Sequence, residues 1–306
     1  IAEDILKAHF DLWNGESSVN DLIKMMLRNL NKQGLISESQ GAKIIDISDK
    51  DDTIPPVIVK SSTGAVMYVS SDLATILDRL QKFNPDLILY VVDVRQSLYF
   101  RQVFLAAEKI GFLNEKHKAE HCGFGTMNGK DNKPYKTRSG EIVKLRSLID
   151  DVKNVIAEKS KNISKEDIEK IAVACIKFSD LINYRESNYI FDLEQFTNYE
   201  GKTGAYLLYS IVRIASIFSD KESFDYKITD FKTKEEKNLL LELSKFSYII
   251  KSAYDKKAPN FVADYVYNLA KKFNSFYATC SINNEEDLDY KKSKISLIYL
   301  VKKYME

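Results

Sequence analysis

His121-Cys122-Gly123-Phe124-Gly125-Thr126-Met127-Asn128-Gly129-Lys130-Asp131-Asn132-Lys133-Pro134-Tyr135-Lys136-Thr137-Arg138-Ser139-Gly140 is the stretch on which the reading of this chain turns. Its lead-in, Ala119 to Phe124, suits a strand. It runs into a loop with glycines at 123, 125 and 129 and a Lys136, Thr137, Arg138 cluster near its end. Glycines let backbone N–H groups approach an anion, and mobile cations can follow charge as it shifts, so such a loop suits a polyphosphate. A solvated hairpin rich in Gly, Asn and Lys has the same local composition. A Walker-type phosphate loop is excluded, because Gly129-Lys130 is followed by Asp131 rather than by a Ser or Thr opening a helix.

On the N-terminal side, Leu87 to Val92 is an unbroken apolar run of the kind buried in parallel sheets. A helix through Val103, Ala106, Ala107 and Ile110 then ends at Gly111, and the strand leading into the loop follows. Strand, crossover helix and strand form part of a doubly wound, Rossmann-like nucleotide fold, whose ligands sit beyond the C-terminal strand ends. Asp93 to Gln96 and Gly123 to Thr126 fall at that edge. Ser71 or Asp72 can cap a helix through Ile76 and Leu80. Further upstream, Leu22, Ile23, Met26, Leu27 and Leu30 recur with helical spacing as far as Gly34. Runs at Ala42 to Ile47, Val57 to Lys60 and Ala65 to Val69 read as a small antiparallel sheet.

On the C-terminal side the patterning changes at about residue 145. Helical stretches are expected near 145–159, 164–178, 187–198, 203–218, 233–252, 259–277 and 290–305, with no strand. The fold class is therefore α/β followed by an all-helical domain. The clearest stripe is Val262, Tyr265, Val266, Leu269, Phe273 and Phe276, whose three- and four-residue steps turn one apolar face inward.

Charge identifies no partner. Lys and Arg number 45 against 44 Asp and Glu, so any RNA surface must be a local patch rather than a global basic field. Cys122, Cys175 and Cys280 are too widely spaced for a disulfide framework and read as small buried residues in a reducing compartment. His117 and His121 beside Cys122 fit no common zinc spacing, so no metal site is expected. No apolar run is long enough to span a bilayer and no signal peptide is visible, which predicts a soluble, cytoplasmic protein.

Three sets of residues could carry chemistry. Tyr68, Asp72 and Gln96 would suit a guanidinium ligand, since a planar five-donor cation is best held by a carboxylate with neutral groups fixing its orientation. Their structural alternatives are a sheet-packing tyrosine, a helix N-cap and a solvent-facing loop residue. Lys136, Thr137 and Arg138 form the second set. Tyr206, Tyr209 and Arg213 form the third, and their steps of three and four place two aromatic platforms and a cation on one helix face, as suits unstacked bases. Two tyrosines packed into a bundle, with Arg213 reaching out along its stem, would fit the same pattern.

The order Gly-Phe-Gly-Thr-Met followed by Lys-Thr-Arg-Ser-Gly resembles the signature loop of arginyl-tRNA synthetases, where that turn stands in place of the Lys-Met-Ser-Lys-Ser of other class I enzymes. The second lysine of that general pattern has no counterpart here. The resemblance runs from Phe10-Asp11-Leu12-Trp13 to the last helix and includes the stretch around Arg185 to Asp192 and the Val262 to Phe276 helix. It implies that Tyr68, Asp72 and Gln96 contact substrate arginine. Gly123, Gly125, Thr126, Met127, Lys136, Thr137 and Arg138 would bind ATP, with Lys136 and Arg138 catalytic. Tyr206, Tyr209 and Arg213 would meet the tRNA anticodon.

The resemblance further implies ATP with magnesium as counter-ion, arginine and its tRNA as partners, and a monomer. The expected division is residues 1–145, the connective insertion and second Rossmann half of the catalytic domain, then 146–306, the stem-contact and anticodon-binding helices. The family's His-x-Gly-His motif has no match among His9, His117 and His121. The chain therefore reads as the C-terminal portion of an arginine-tRNA ligase, inactive alone. A catalytically silent tRNA-binding or interaction module of the same architecture is the other reading.

Overall fold

The computed structural model describes residues 1–133, 144–160, 163–218, 227–282 and 284–306. The chain divides into two compact units, His9–Gly125 on the one hand and Ile1–Ala8 with Thr126–Glu306 on the other. This division by packing is separate from the functional division expected at 145 to 146.

In the first unit, helix α1 (Asn20–Lys32) buries Ile23, Met26 and Leu30, one helical face of the apolar spacing. Gly34 ends it by taking φ +72°, which lets Leu35 N–H reach the Leu30 carbonyl at 3.0 Å. Strands β1 (Ser37–Ser39), β2 (Ala42–Ile45) and β3 (Val57–Lys60) form the antiparallel sheet, in that order. The strand expected over Ala65 to Val69 is not formed. Only Val66 bridges Lys60, and helix α2 (Tyr68–Phe83) starts two residues later.

Neither Ser71 nor Asp72 caps α2, which corrects the expected helix start; the position before it is Met67, with no capping side chain. Tertiary bonds set the boundary instead. Met67 N–H donates to the Val59 carbonyl at 3.2 Å, and the buried Ser70 hydroxyl donates to the same carbonyl at 2.7 Å. Asn84 closes the helix in the left-handed region, just before Pro85.

Strand β4 (Leu87–Asp93), helix α3 (Ser97–Lys109) and strand β5 (Lys118–Phe124) are the expected crossover unit, with β4 and β5 parallel and Asp93 level with Phe124. The apolar run of β4 is buried on one face only. Ile88 and Tyr90 pack into the core, whereas Val91 is 66% exposed and Leu87 and Leu89 share its side. Gly123 lies in a close approach, since a Cβ there would lie 3.0 Å from the Val94 Cα.

The second unit is not wholly helical. Strands β6 (Met127–Asn128) and β7 (Tyr189–Ile190) form a short parallel ladder, on either side of helices α4 (Leu145–Lys159) and α5 (Lys165–Leu181). The helix expected over 187–198 shrinks to α6 (Leu193–Phe196). Tyr189 and Phe191 give their N–H groups to the Thr126 and Asn128 carbonyls, and Asp192 then caps the short helix.

Helix α7 (Gly204–Ala215) is capped by Thr203, whose hydroxyl accepts from Tyr206 N–H at 3.1 Å. Its first residue sits so close to α5 that a Cβ on Gly204 would lie 2.2 Å from the Ala174 carbonyl oxygen. The stretch expected as one helix over 233–252 is two, α8 (Lys234–Ser244) and α9 (Phe246–Lys256), broken at Lys245 so that Phe246 packs on Tyr265 and Tyr304. Helices α10 (Asn260–Thr279) and α11 (Leu288–Met305) complete the bundle, and Tyr265, Leu269, Phe273 and Phe276 of the expected stripe are buried at its centre.

Glu236 is only 1% exposed in this bundle. It accepts Lys232 N–H and Thr233 N–H, each at 2.8 Å, and the Tyr290 hydroxyl at 2.6 Å. Burial pushes its carboxyl up, but the Tyr290 bond and the backbone donors outweigh this and hold it below the usual glutamate value.

Candidate functional site

Tyr68 and Asp72 lie one turn apart on α2, with Tyr68 exposed in the first turn and Asp72 half-buried in the second. The Tyr99 hydroxyl of α3 donates to Asp72 Oδ2, joining the two helices. Gln96 is the exposed residue before α3, three positions ahead of Tyr99. Tyr68 and Asp72 therefore share the start of α2, Tyr99 ties Asp72 to α3, whose first turn Gln96 precedes, and Asp72 is free of capping duty.

The electrostatics of this corner are unusual. Burial raises the Asp72 carboxyl above the ordinary aspartate value; the Tyr99 bond opposes the shift and the nearby Glu16 carboxylate adds to it. Among the described residues no cation lies within ion-pair distance of Asp72. The nearest influence of that sign is Arg79, whose guanidinium stacks 5.0 Å from the Tyr90 ring centroid. Burial pushes the Tyr90 hydroxyl up to about 12, with the Arg79 guanidinium opposing the shift. Sequence reading missed Glu16, Tyr90 and Tyr99. No local signal marks a phenol that reaches a carboxylate 27 residues away.

At the β4 and β5 ends, Asp93 accepts Arg95 N–H at 2.8 Å and pairs with the Arg95 guanidinium at 2.6 Å, which holds its carboxyl at about 2. Gly123 is buried against Val94 and Gly125 is half-buried. In the other unit, Thr126 is fixed by Asn188, whose Oδ1 accepts both Thr126 N–H at 2.8 Å and its hydroxyl at 3.0 Å. Met127 pairs with Tyr189 in the β6–β7 ladder. Lys130 bonds Asp192 at 2.9 Å, and Gly129 N–H closes on the Lys133 carbonyl at 2.7 Å. The 188–192 segment thus anchors the first half of the loop. Lys136, Thr137 and Arg138 lie outside the described residues.

The third set is assembled as one face. Arg213 lies 4.5 Å from the Tyr209 ring centroid and 5.2 Å from that of Tyr277, and it donates to the Tyr209 hydroxyl and, at 2.9 Å, to Asn274 Oδ1. Asn274 Nδ2 in turn donates to the Tyr206 hydroxyl at 3.0 Å and to Ser210 Oγ at 2.7 Å. Tyr209 and Tyr277 are exposed, and Tyr206 and Arg213 half-buried. Arg213 is therefore held by neutral groups and aromatic faces, which fix its position without cancelling its charge. Sequence reading did not single out Asn274 and Tyr277, which come from α10.

Among the described residues, no cluster of three or more His, Cys, Asp and Glu side chains is placed to hold a metal ion, and the three cysteines are buried free thiols. No helix there is long and apolar enough to cross a membrane.

Two families match the chain. That of the class I (R) tRNA synthetase catalytic domain covers residues 2–193, and the DALR anticodon binding domain covers residues 207–306. The chain is 41% identical to the arginine–tRNA ligase of Agathobacter rectalis, covering 98% of this chain and 54% of that protein. It is 42% identical to that of Francisella tularensis, covering 99% and 53%. The arginyl-tRNA synthetase structure from Plasmodium falciparum superposes with a TM-score of 0.81 at 25% identity, over 99% of this chain and 53% of that one. The chain thus spans about half the length of the curated relatives it matches. Its crossover unit and helical bundle are those of a class I synthetase catalytic domain joined to a DALR domain, and the chain belongs to the arginyl-tRNA synthetase family.

Proposed function

We propose that these residues supply the arginine-recognising and signature-loop portion of an arginine–tRNA ligase, together with its anticodon-reading helices, the functional division falling near 145. The protein would use ATP, with magnesium as counter-ion, to activate arginine. The arginine carboxylate attacks the α-phosphorus and expels pyrophosphate, and a terminal ribose hydroxyl of the tRNA then takes the aminoacyl group from the adenylate. Asp72 would receive the substrate guanidinium, with Tyr68 and Gln96 orienting it. Lys136 and Arg138 would offset charge on the phosphates. Gly123, Gly125, Thr126 and Met127 would frame the nucleotide, and Tyr206, Tyr209 and Arg213 would read the anticodon. A cytoplasmic monomer fits this role.

The observation that carries the reading is Asp72, a half-buried carboxylate beside a second carboxylate and, among the described residues, without a cation at ion-pair distance. A guanidinium supplies the missing charge and several donors at once. The test is pyrophosphate exchange by the longest protein encoded in frame with these residues, with tRNA present, comparing arginine with citrulline. Exchange driven by arginine alone supports the ligase. Exchange at background with tRNA still bound would instead make the chain a silent tRNA-binding module of the same architecture.

A further inference from the structure

Asn274 sits half-buried between α7 and α10, and both ends of its side-chain amide are engaged there. On α7, Tyr206, Ser210 and Arg213 follow one another at steps of four and three along one stripe, and all three meet this single amide. The direction of each bond follows from chemistry. A guanidinium carries donors only, so the atom that Arg213 reaches is the Asn274 oxygen, and the nitrogen is left to face Tyr206 and Ser210. Ser210 Oγ gives its own proton to the Tyr206 carbonyl at 2.9 Å, so toward the amide it accepts.

The second amide proton goes to the Tyr206 hydroxyl oxygen, which turns the phenol proton away from the amide. Tyr209 is set in the same sense, because its hydroxyl oxygen accepts from Arg213. Among the described residues neither phenol donates a hydrogen bond. The result is a face of one polarity. Two phenol protons and the uncommitted N–H groups of Arg213 are left for a ligand, while the amide oxygen is consumed by Arg213. A carboxylate in the same place would pair with Arg213 and draw the Tyr206 proton inward, giving a stronger seam and a silent face.

We propose that Asn274 is a positioning residue for RNA recognition. By donating to Tyr206 and accepting from Arg213 it fixes this face as a set of donors, which favours base edges that offer acceptors and disfavours those that offer protons. It acts through its two neighbours and touches no base itself. That the ligand is an anticodon rests on the function proposed above; the direction of the bonds does not.

Asn274→Asp is the deciding variant, because the two side chains are nearly isosteric while a structural role and a positioning role predict different outcomes. The measurement is anisotropy of fluorescent RNA hairpins with and without an arginine anticodon, using the longest protein encoded in frame with these residues. Asn274→Asp should weaken the anticodon hairpin about 30-fold and the control hairpin less than about threefold, with the thermal midpoint unchanged or raised by the new ion pair. On a Tyr206→Phe background, where no proton remains to be turned, the same change should cost only about fivefold. Parental affinity in Asn274→Asp would overturn the inference. So would equal losses on the two hairpins, which would show a general charge effect, or equal losses on the two backgrounds, which would take Tyr206 out of the path. A lowered midpoint would make Asn274 a packing residue and overturn it too. A parent protein that does not separate the two hairpins refutes the anticodon reading and this inference with it. A parent that separates them, with Asn274→Asp doing so equally well, refutes the inference alone.

Discussion

Asp72 and Glu236 are both carboxylates drawn out of water, and they are treated in opposite ways. Glu236 meets two backbone N–H groups and the Tyr290 hydroxyl, and the sum holds its proton affinity below normal. Asp72 meets the Tyr99 hydroxyl, has Glu16 for a neighbour, and is raised by burial. A buried carboxylate whose acceptor sites are filled by its own fold is a structural joint. A half-buried one left short of donors next to like charge is the group to which we assign a ligand's donors in the function proposed above.

The sharpest way to break the contrast is to remove the joint. Glu236→Ala strands the buried Tyr290 hydroxyl and two partly buried N–H groups, and denaturant titration should show the helical unit losing about 3 kcal/mol. The parent's acid limb carries the sign of the shift. Because the folded Glu236 value lies below the unfolded one, its contribution is complete above the ordinary glutamate range and is lost as pH falls through the folded value. The variant should show a flatter decline over that window.

Asp72→Asn should do the reverse, sparing the fold and removing the group assigned to the ligand. In arginine-dependent pyrophosphate exchange the arginine KM should rise about 100-fold, equivalent to about 2.7 kcal/mol, with ATP affinity unaltered. The folded Asp72 value lies above the unfolded one, so its contribution to stability is largest at acid pH and is lost as pH rises through the folded value. At neutral pH the variant should therefore be as stable as the parent or slightly more so. A thermal midpoint well below the parent would make Asp72 another joint.

A smaller effect tests whether a cation can be held without being neutralised. Arg213→Ala should weaken a tRNA bearing an arginine anticodon about tenfold in filter binding while leaving a non-cognate tRNA nearly unchanged, since base contacts discriminate and phosphate contacts do not. Smallest of all, Tyr99→Phe removes the phenol donor of Asp72. The acid limb of arginine binding should then move to higher pH by less than about one unit, a cost under about 1.4 kcal/mol.

The α10 stripe and the β4–α3–β5 unit were legible because periodicity and punctuation over ten or more residues report burial directly. The start of α2 was not, because its boundary is set by Met67 and Ser70 reaching the Val59 carbonyl rather than by a cap. Strand β7 was invisible for a related reason, since two residues carry no period and their partners lie far away in sequence. For the site, Tyr68 and Asp72 were joined only by the family resemblance; the linear pattern put Tyr68 in a strand and Asp72 at a helix cap, whereas both lie on α2. Glu16, Tyr99 and Asn274 join their sets only through tertiary contact, which a linear pattern does not contain.

The β6–β7 ladder also sets an order of assembly. It brings Thr126 to Asn188, 62 residues apart, through two strand residues on each side. Closing a loop of that length costs more entropy than so short a ladder returns, so the pairing gains its net stability only after α4 and α5 have packed between its ends. The base of the signature loop is then among the last parts of the chain to reach its place and among the first to leave it. Hydrogen exchange would register this as faster exchange at the Tyr189 and Phe191 amides than at the amides of α5, by a low-energy opening of the ladder while the bundle stays folded.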